Sequence, residues 1–205
     1  MRAPAKLSLA SSNRGKLVEF RALAQTAAQS QVELEPIPGF DSLPPFEEPA
    51  STFAENALGK ALHYSRLIEG FVFADDSGLV VPALGGQPGV HSARYAGREA
   101  NSTERITKLL GELRGKTGFQ RAAHFVCAIA LARQGHAIAV VTDRVEGEIL
   151  NSPSGSSGFG YDPVFYYPPL KKTFAELTAE EKNQHSHRGK AFRKLLAAFD
   201  GSWAN

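Results

Sequence analysis

The chain has 205 residues, of which 42% are hydrophobic, and 23 basic against 21 acidic side chains give it a net charge of +2. This composition supports a folded core and excludes extensive disorder, and its charge balance argues against bulk nucleic-acid binding. Because no apolar run reaches about 18 residues, we expect a cytoplasmic protein without a membrane segment, folded as one domain over residues 1–205.

The first half of the chain alternates predicted strands and helices. The predicted elements are a strand over 6–11, a helix over 16–30, a proline-rich loop over 36–49, a helix over 53–68 and a strand over 71–74. Thr52 and Glu55 form a T-x-x-E capping box at the start of the second helix. The apolar run that ends at Asp75 resumes as extended chain after Gly78, so we expect the intervening residues to lie at a strand end.

The second half adds a helix and a hairpin. Asn101 and Glu104 again indicate a helix start. Segments 122–133 and 136–149 are typical of two strands that pair across Gln134 and Gly135. A glycine- and serine-rich loop over 152–163 precedes a closing amphipathic helix. We therefore predict a mixed α/β sheet, with the single cysteine, Cys127, as a buried and unreactive strand residue.

The first candidate ligand site is the SSNRGK segment, Ser11 to Lys16, which connects a strand to a helix. Backbone N–H groups at a helix N-terminus favour anions, and Lys16 adds a positive charge. Asn13 offers an amide donor, and Gly15 permits close backbone approach. The segment lacks the Walker A spacing. A plain helix cap with a solvated lysine explains it equally well.

The second candidate is the ADDSG stretch, in which Asp75 and Asp76 follow four apolar residues. A solvated turn is the simple interpretation, because Asp favours turns. Open α/β sheets, however, bind ligands at strand ends, and carboxylates there suit Mg²⁺. Glu47 and Glu48 of the proline-rich loop can supply a further carboxylate.

The third candidate is the SGFGYDP loop, in which Gly158 and Gly160 flank Phe159. The aromatic ring either pins the loop to the core or forms a stacking surface for a flat base. Asp162 either reads a donor edge of that base or supports the loop.

The fourth candidate is the basic segment 181–194 before the last helix. Its basic residues are Lys182, His185, His187, Arg188 and Lys190. They form either a solvated face or a ligand-directed group, and basic charge at a helix start opposes the macrodipole, which favours the second interpretation. The two histidines lack the spacing of a helical zinc pair. Together, the four candidates provide the parts needed to hold a Mg²⁺-bound nucleotide.

In their order along the chain, these motifs resemble the inosine/xanthosine triphosphate pyrophosphatase family. The matching blocks are SSNRGK, TFAENALGKA, ADDSGLVVPALGGQPGVHSARYAG, GFGYDP and EEKNQHSHRGKA, from Ser11 to Ala191. The resemblance implies Mg²⁺-dependent hydrolysis of ITP, dITP or XTP to the monophosphate and pyrophosphate. It also implies an elongated, two-lobed α/β homodimer with a long, mixed, twisted central sheet flanked by helices and an active site in the cleft between the lobes.

The resemblance also implies roles for individual residues. Asp76 matches the proposed general base and metal ligand, with Asp75 beside it, and Glu47 or Glu48 matches the region of a second metal-binding acid. The positions that match substrate contacts are Ser11, Ser12, Asn13, Arg14, Gly15, Lys16, Ser77, Phe159, Gly160, Tyr161, Asp162, Lys182, His187 and Arg188.

The chain departs from the family pattern at three places. Ser11 and Ser12 stand where Thr-Gly is typical, His91 stands where a tyrosine is common, and residues 49–51 lack the usual glycine-containing turn. None of these differences removes a proposed catalytic group.

The mechanism expected from this resemblance is attack of water on the α-phosphorus. Asp76 would hold the metal and accept a proton, while Lys16 and Asn13 would stabilise charge on the leaving pyrophosphate. Donors such as Lys182 or Arg188 would favour a purine with a 6-oxo acceptor over adenine. Two alternatives stay open, namely a pyrophosphatase for other modified nucleotides and a non-catalytic nucleotide sensor.

Overall fold

The computed structural model describes residues 5–26 and 32–198. In this part of the chain the strands are β1 (Ala5–Leu9), β2 (Val32–Pro36), β3 (Phe71–Val80), β4 (Ala122–Arg133), β5 (His136–Ile149), β6 (Phe165–Tyr167) and β7 (Lys172–Thr173). The helices are α1 (Arg14–Thr26), α2 (Phe53–Tyr64), α3 (Ser102–Glu112), α4 (Ala179–His185) and α5 (His187–Ala198). The predicted end of the first helix, 27–30, lies outside the described residues.

The strands form one mixed sheet in the order β2-β1-β3-β4-β5-β6-β7. Strand β1 pairs in parallel with both β2 and β3, whereas β6 pairs antiparallel with β5 and β7. The prediction of an α/β protein with a mixed sheet is confirmed. Among the described helices, none has the length and apolar character needed to cross a membrane.

By its internal contacts the chain divides into two compact units. Of the described residues, the first comprises 5–26, 32–76, 127–143 and 188–198, and the second comprises 77–126 and 144–187. Strands β3, β4 and β5 contribute residues to both units. The single domain expected from the chain length stays a prediction.

The first unit has an apolar layer on each face of its strands. Phe71 and Phe73 of β3 belong to a cluster that includes Phe20 of α1 and Phe192 of α5. The alternate β3 residues Val72 and Ala74 belong instead to a cluster that includes Ala57 and Ala61 of α2. Since successive strand residues point to opposite faces, one face of β3 meets α1 and α5 while the other meets α2.

The second unit has one apolar cluster, formed around α3 and the later strands. Its large members include Leu109 of α3, Phe125 of β4, Phe165 of β6 and Phe174. Tyr161, from the loop before β6, is also part of this cluster. The glycine-rich loop is therefore attached to a packed core at Tyr161.

The structure confirms the local signals for helix starts and for the hairpin. Asn101 and Glu104 form a complete capping box at α3, and the Thr52 side chain accepts a hydrogen bond from the backbone N–H of Glu55 at α2. Strands β4 and β5 have the predicted bounds. Gln134 and Gly135 connect them with φ values of 52° and 77°, the left-handed pair that a tight type I′ turn requires.

The predicted break at ADDSG is wrong, because β3 is one continuous strand from Phe71 to Val80. Asp75 and Asp76 therefore lie within the strand, and only 0% and 5% of their surfaces are exposed. The turn preference of Asp, Ser and Gly is overridden by partners that the fold brings to these side chains, as described below.

Other elements also differ from the sequence prediction, among them α2, which ends at Tyr64 and not at residue 68. Strand β2 was not predicted, although Val32 and Leu34 alternate with acidic residues as in a half-buried strand. Helix α1 begins at Arg14, two residues before its predicted start. The basic segment is divided between two helices. Lys182 and His185 lie in helix α4, and the last helix, α5, starts at His187.

Candidate functional site

The segment between β1 and α1 forms an ordered helix start. The Asn13 side-chain oxygen accepts the backbone N–H of Lys16 at 3.1 Å, and Ser11 Oγ accepts the N–H of Asn13 at 3.2 Å. Ser12 and Arg14 are exposed, whereas Ser11 and Gly15 are half-buried. The first turn of α1 contains no acidic residue. Its N-terminal dipole is thus available to an anionic ligand.

Asp75 is fully buried and lies beside two cations. Its Oδ2 is 2.8 Å from Nζ of Lys16 and 4.0 Å from Nε of Arg188. Arg188 also pairs with Glu19 of α1, with 2.5 Å between Nη1 and Oε2. Burial alone would raise the pKa of Asp75, but the charges of Lys16, Arg188 and Lys60 together outweigh burial and lower that pKa. Asp75 is therefore an ionised member of a buried charge network.

Asp76 has a different environment, because the alternation of the strand turns it toward α2. Its Oδ2 accepts a hydrogen bond from Nδ2 of Asn56 at 3.1 Å. Burial and then the negative charge of Glu48 raise the pKa of Asp76 to about 6, against the opposing effects of Lys16 and Lys60. Asp76 therefore titrates close to neutral pH.

The loop that contains Glu48 is packed against α2. The backbone N–H of Phe46 donates to the Tyr64 hydroxyl at 3.3 Å. Gly59 makes room for the Phe46 ring, because a Cβ on Gly59 would lie only 2.6 Å from that ring. In this loop Glu48 is half-buried, whereas Glu47 is exposed. The geometry thus distinguishes two glutamates that the sequence left equivalent.

Lys60 of α2, which was not among the predicted site residues, connects the backbone of β3 at Asp75 with this loop. Its ammonium forms an ion pair with Glu48 and donates to the backbone oxygen of Asp75 at 3.0 Å. Burial lowers the pKa of Lys60, but the charges of Glu48, Asp75 and Asp76 together outweigh burial and raise it. A signal was present in TFAENALGKA, since Asn56 and Lys60 are four residues apart and share one helix face.

In the second unit, Asp162 organises the aromatic loop. Its buried Oδ2 accepts the backbone N–H of Phe159 at 2.7 Å and pairs with Nζ of Lys182 at 2.5 Å. The Lys182 ammonium also lies 4.9 Å from the centre of the Phe159 ring. Gly158 is required here, because its φ is 75° and a Cβ would collide with the Asp162 carboxyl group. Of the two predicted uses of Asp162, these contacts correspond to loop support.

The neighbouring predicted residues are mostly engaged in packing. The buried Tyr161 hydroxyl donates to the backbone oxygen of Ser92 at 3.0 Å. The buried His187 ring stacks on Phe125, with 4.7 Å between centroids and 12° between planes. Gly160 has a left-handed φ of 65°, and Ser77 is a half-buried residue of β3.

The structure separates the predicted site residues into two groups. Lys16, Asp75, Asp76, Glu48 and Arg188 belong to the first unit. The second unit contains the residues Ser77, Phe159, Gly160, Tyr161, Asp162, Lys182 and His187. Arg188, expected to recognise the purine together with Lys182, pairs with Glu19 and Asp75 of the first unit, and its purine contact stays a prediction.

The carboxylates of the first unit fit one divalent cation only in part. Within 5–26 and 32–198, no three or more His, Cys, Asp or Glu side chains are arranged to hold a metal ion. Asp76 and Glu48 are nevertheless close enough for one charge to raise the pKa of the other. Mg²⁺ typically uses one or two carboxylates together with substrate phosphates, so this pair suits a cation that arrives with a nucleotide. Asp75 is instead neutralised by side-chain cations.

The fold and this geometry define an α/β protein in which a helix N-terminus that favours anions accompanies the buried carboxyl group of Asp76 and the half-buried one of Glu48. Comparison with known proteins agrees with this description of the fold and the site. The model of the Ham1 family matches residues 7–198, and the chain belongs to this family. Nucleotide pyrophosphatases of the Ham1 family are generally metal-dependent.

Individual relatives match over nearly their whole length. The chain is 52% identical to the dITP/XTP pyrophosphatase of Geobacillus kaustophilus, covering 93% of this chain and 92% of the relative. It is 50% identical to the dITP/XTP pyrophosphatase of Gloeobacter violaceus, with the same coverage. Among solved structures, a HAM1 protein from Coxiella burnetii superposes with a TM-score of 0.85 at 40% identity, covering 97% of this chain and 100% of the other.

Proposed function

We propose that this protein is an enzyme that hydrolyses nonstandard purine nucleoside triphosphates, such as dITP, ITP and XTP, to the monophosphate and pyrophosphate. Two relatives named dITP/XTP pyrophosphatase support this proposal. They are 52% and 50% identical to this protein over 93% of the chain. The structural observation that carries it is Asp76, a buried carboxylate on a strand, placed beside Glu48 and Lys60.

Asp76 is the proposed catalytic residue. A general base works best when its pKa lies near the operating pH, and the pKa of Asp76 is raised to about 6. At pH 7 to 8 the carboxylate is therefore ionised and can accept a proton from the attacking water. The hydrogen bond from Asn56 fixes the carboxylate in one orientation.

The proposed contacts to the triphosphate lie at the start of α1. Lys16 is the more exposed of the two cations beside Asp75, at 14% of its side chain against 5% for Arg188. Lys16 can thus turn toward a phosphate while Arg188 continues to neutralise Asp75. The adjacent backbone N–H groups and Asn13 would add donors to the leaving pyrophosphate, in agreement with the roles expected for Ser11 to Lys16.

The proposed metal is Mg²⁺, held by Asp76 and Glu48. When bound, Mg²⁺ supplies charge neutralisation on the phosphate oxygens. Glu48 is the preferred candidate for the second metal ligand, because it is half-buried and ion-paired, whereas Glu47 is exposed. We assign Asp75 to the neutralisation of Lys16 and Arg188 and not to the metal, because both cations already lie at its Oδ2.

The proposed base site consists of Phe159 with Lys182. The Phe159 ring offers a stacking face, and base–aromatic stacking contributes about 1–3 kcal/mol per base. Lys182 is a hydrogen-bond donor that favours a 6-oxo purine over adenine. Asp162, Gly160 and Tyr161 would act by holding this loop in shape.

Three further properties are part of the proposal and rest on the family resemblance. We propose that the protein is a homodimer, that it acts in the cytoplasm, and that the chain functions as one domain of two lobes. Light scattering coupled to size-exclusion chromatography measures the first of these directly, and a mass equal to one 22.1 kDa chain would contradict it.

The decisive experiment is a pyrophosphate-release assay with dITP, ITP, XTP, GTP and ATP, with and without Mg²⁺. We expect release from the first three, dependence on the metal, and a preference over ATP of at least about tenfold. Preferential release from modified pyrimidine nucleotides would identify a pyrophosphatase of different specificity. Binding of dITP without turnover would identify a nucleotide sensor instead.

A further inference from the structure

Asn56 of α2 is a fully buried polar residue with an unusual set of partners. Its Oδ1 accepts the backbone N–H of Ala50 at 2.9 Å, and its Nδ2 donates to the backbone oxygen of Ala50 at 3.2 Å. The same Nδ2 donates to Oδ2 of Asp76 at 3.1 Å. One amide group therefore joins the loop that contains Glu48 to the strand that contains Asp76.

This arrangement counteracts the repulsion between two carboxylates of the site. The ionised carboxylates of Glu48 and Asp76 carry like charges and repel each other, so a fixed arrangement of the two groups needs additional contacts. Ala50 lies two residues after Glu48 in the same loop, and Asn56 fixes its backbone from both sides. The helix that holds Asn56 is itself anchored by Ala57 and Ala61, which are fully buried.

Lys60 and Asn56 contribute different things to this pair of acids. The Lys60 ammonium supplies opposite charge to Glu48, but it is the end of a long side chain with many rotamers. The short Asn56 side chain fixes the orientation of its partners, because its acceptor oxygen and its donor nitrogen have set positions in one planar amide group. A divalent cation needs correctly oriented ligands as well as negative charge, since the ligand oxygen atoms must lie at set positions around it.

We propose that Asn56 is a positioning residue that holds Glu48 and Asp76 in the arrangement that takes up the divalent cation of the nucleotide complex. This inference rests on the proposed function. It assigns no direct contact with substrate to Asn56, which acts through Ala50 and Asp76. It predicts that loss of the amide weakens the cation site more than it weakens the base site, whose residues Phe159 and Lys182 lie in the other unit.

The test measures cation affinity without turnover. Mn²⁺ is titrated into the full-length protein in the presence of the non-hydrolysable α,β-methylene analogue of ITP, and free Mn²⁺ is read by electron paramagnetic resonance. For Asn56→Ala we expect the Mn²⁺ dissociation constant to rise by about 10- to 100-fold, the usual effect of removing a partner that orients a metal ligand. Asn56→Ser, which removes less volume and keeps a hydroxyl, is expected to fall between Asn56→Ala and the wild type.

The matched control is Ser65→Ala, near the end of the same helix. Ser65 is also buried, at 1% exposure, and its hydroxyl accepts the backbone N–H of Gly135 at 3.0 Å. Removing it loses a buried polar interaction within the same unit without altering the loop of Glu48. We expect a fall in melting temperature similar to that of Asn56→Ala, but a Mn²⁺ dissociation constant within about twofold of wild type.

A second measurement separates positioning from general loosening. In pyrophosphate-release assays, the Mg²⁺ concentration for half-maximal rate should rise by about 10- to 100-fold in Asn56→Ala, while the KM for ITP at saturating Mg²⁺ changes less than about threefold. If Asn56→Ala does not fold, Asn56→Ser makes the same comparison.

The outcomes distinguish this inference from the proposed function. A wild-type protein that binds Mn²⁺ and releases pyrophosphate, together with folded Asn56 variants of unchanged Mn²⁺ affinity, overturns the inference alone. Equal weakening in Ser65→Ala also overturns it, because the effect would then be general. A wild-type protein that neither binds Mn²⁺ with the analogue nor releases pyrophosphate overturns the proposed function.

Discussion

Replacement of Asp76 by Asn is expected to inactivate the enzyme and at the same time to stabilise its fold. The side chain keeps its size and an oxygen that can accept the Asn56 hydrogen bond. It loses the negative charge that burial and Glu48 disfavour, and the pKa of Asp76, raised from 3.8 to about 6, measures how strongly they do so. The buried negative charge of Asp76 lowers the stability of the folded protein, and the substitution to Asn removes this destabilising charge.

The magnitude follows from proton linkage. In the folded protein Asp76 binds its proton more tightly than in the unfolded chain, so the wild-type stability falls as pH rises from 3.8 to about 6. Applying those two pKa values, the free energy of unfolding of Asp76→Asn should exceed that of wild type by about 1 kcal/mol at pH 4.5 and about 3 kcal/mol at pH 7.5. Above pH 8 the difference should be constant.

The assay is urea denaturation of both proteins in EDTA over pH 4.5 to 8, with linear extrapolation to water. The same variant should lose about 10²- to 10⁴-fold in kcat for ITP at saturating Mg²⁺. Glu47→Gln is the control for removal of an exposed acid from the same region, and its stability should change by less than about 0.5 kcal/mol. A folded Asp76→Asn protein that is less stable than wild type at pH 7.5, or whose advantage does not grow with pH, would refute the reasoning.

Three other predictions test the remaining parts of the site. Asp75→Asn leaves the buried Arg188 and the largely buried Lys16 without their shared carboxylate, and urea denaturation should show a loss of about 3–5 kcal/mol in the free energy of unfolding. Glu48→Gln should raise the Mg²⁺ concentration for half-maximal pyrophosphate release about tenfold or more, whereas equal effects of Glu47→Gln would contradict the choice between the two glutamates. Phe159→Ala should raise the KM for ITP about 5- to 150-fold, as expected from the loss of one stacked base, and an unchanged KM in steady-state kinetics would exclude the stacking role.

The sequence predicted best those features that a few neighbouring residues determine. Helix α3 begins where Asn101 and Glu104 cap each other, and the hairpin turns at Gln134 and Gly135, where both residues adopt left-handed backbone. The family resemblance was confirmed as well, because it depends on several ordered motifs at once. In each of these cases the information lies within the segment concerned or in the order of segments.

The roles of the acidic residues were harder to predict because their partners are distant in sequence. Asp75 meets Lys16 and Arg188, and Asp76 meets Asn56, yet nothing near ADDSG indicates these neighbours. Local turn preference therefore suggested a strand end, whereas tertiary contacts continue the strand through the acids. For the same reason, the sequence did not decide between Glu47 and Glu48, whose difference arises from the packing of Phe46 on Gly59 and the ion pair with Lys60.

Continuity of β3 is what gives the two adjacent acids different environments. Had they occupied a turn, both carboxylates would face one ligand, and their mutual repulsion would require a cation shared between them. In a strand, consecutive side chains point to opposite faces, so Asp75 is directed to the α1 and α5 side and Asp76 to the α2 side. The first side supplies Lys16 and Arg188, which lower the pKa of Asp75, whereas on the second side burial and the charge of Glu48 raise the pKa of Asp76 to about 6. The period of the strand thus places the ion-pair partner of Lys16 directly next to the proposed proton acceptor Asp76 in the sequence, while the two side chains face opposite sides of the sheet.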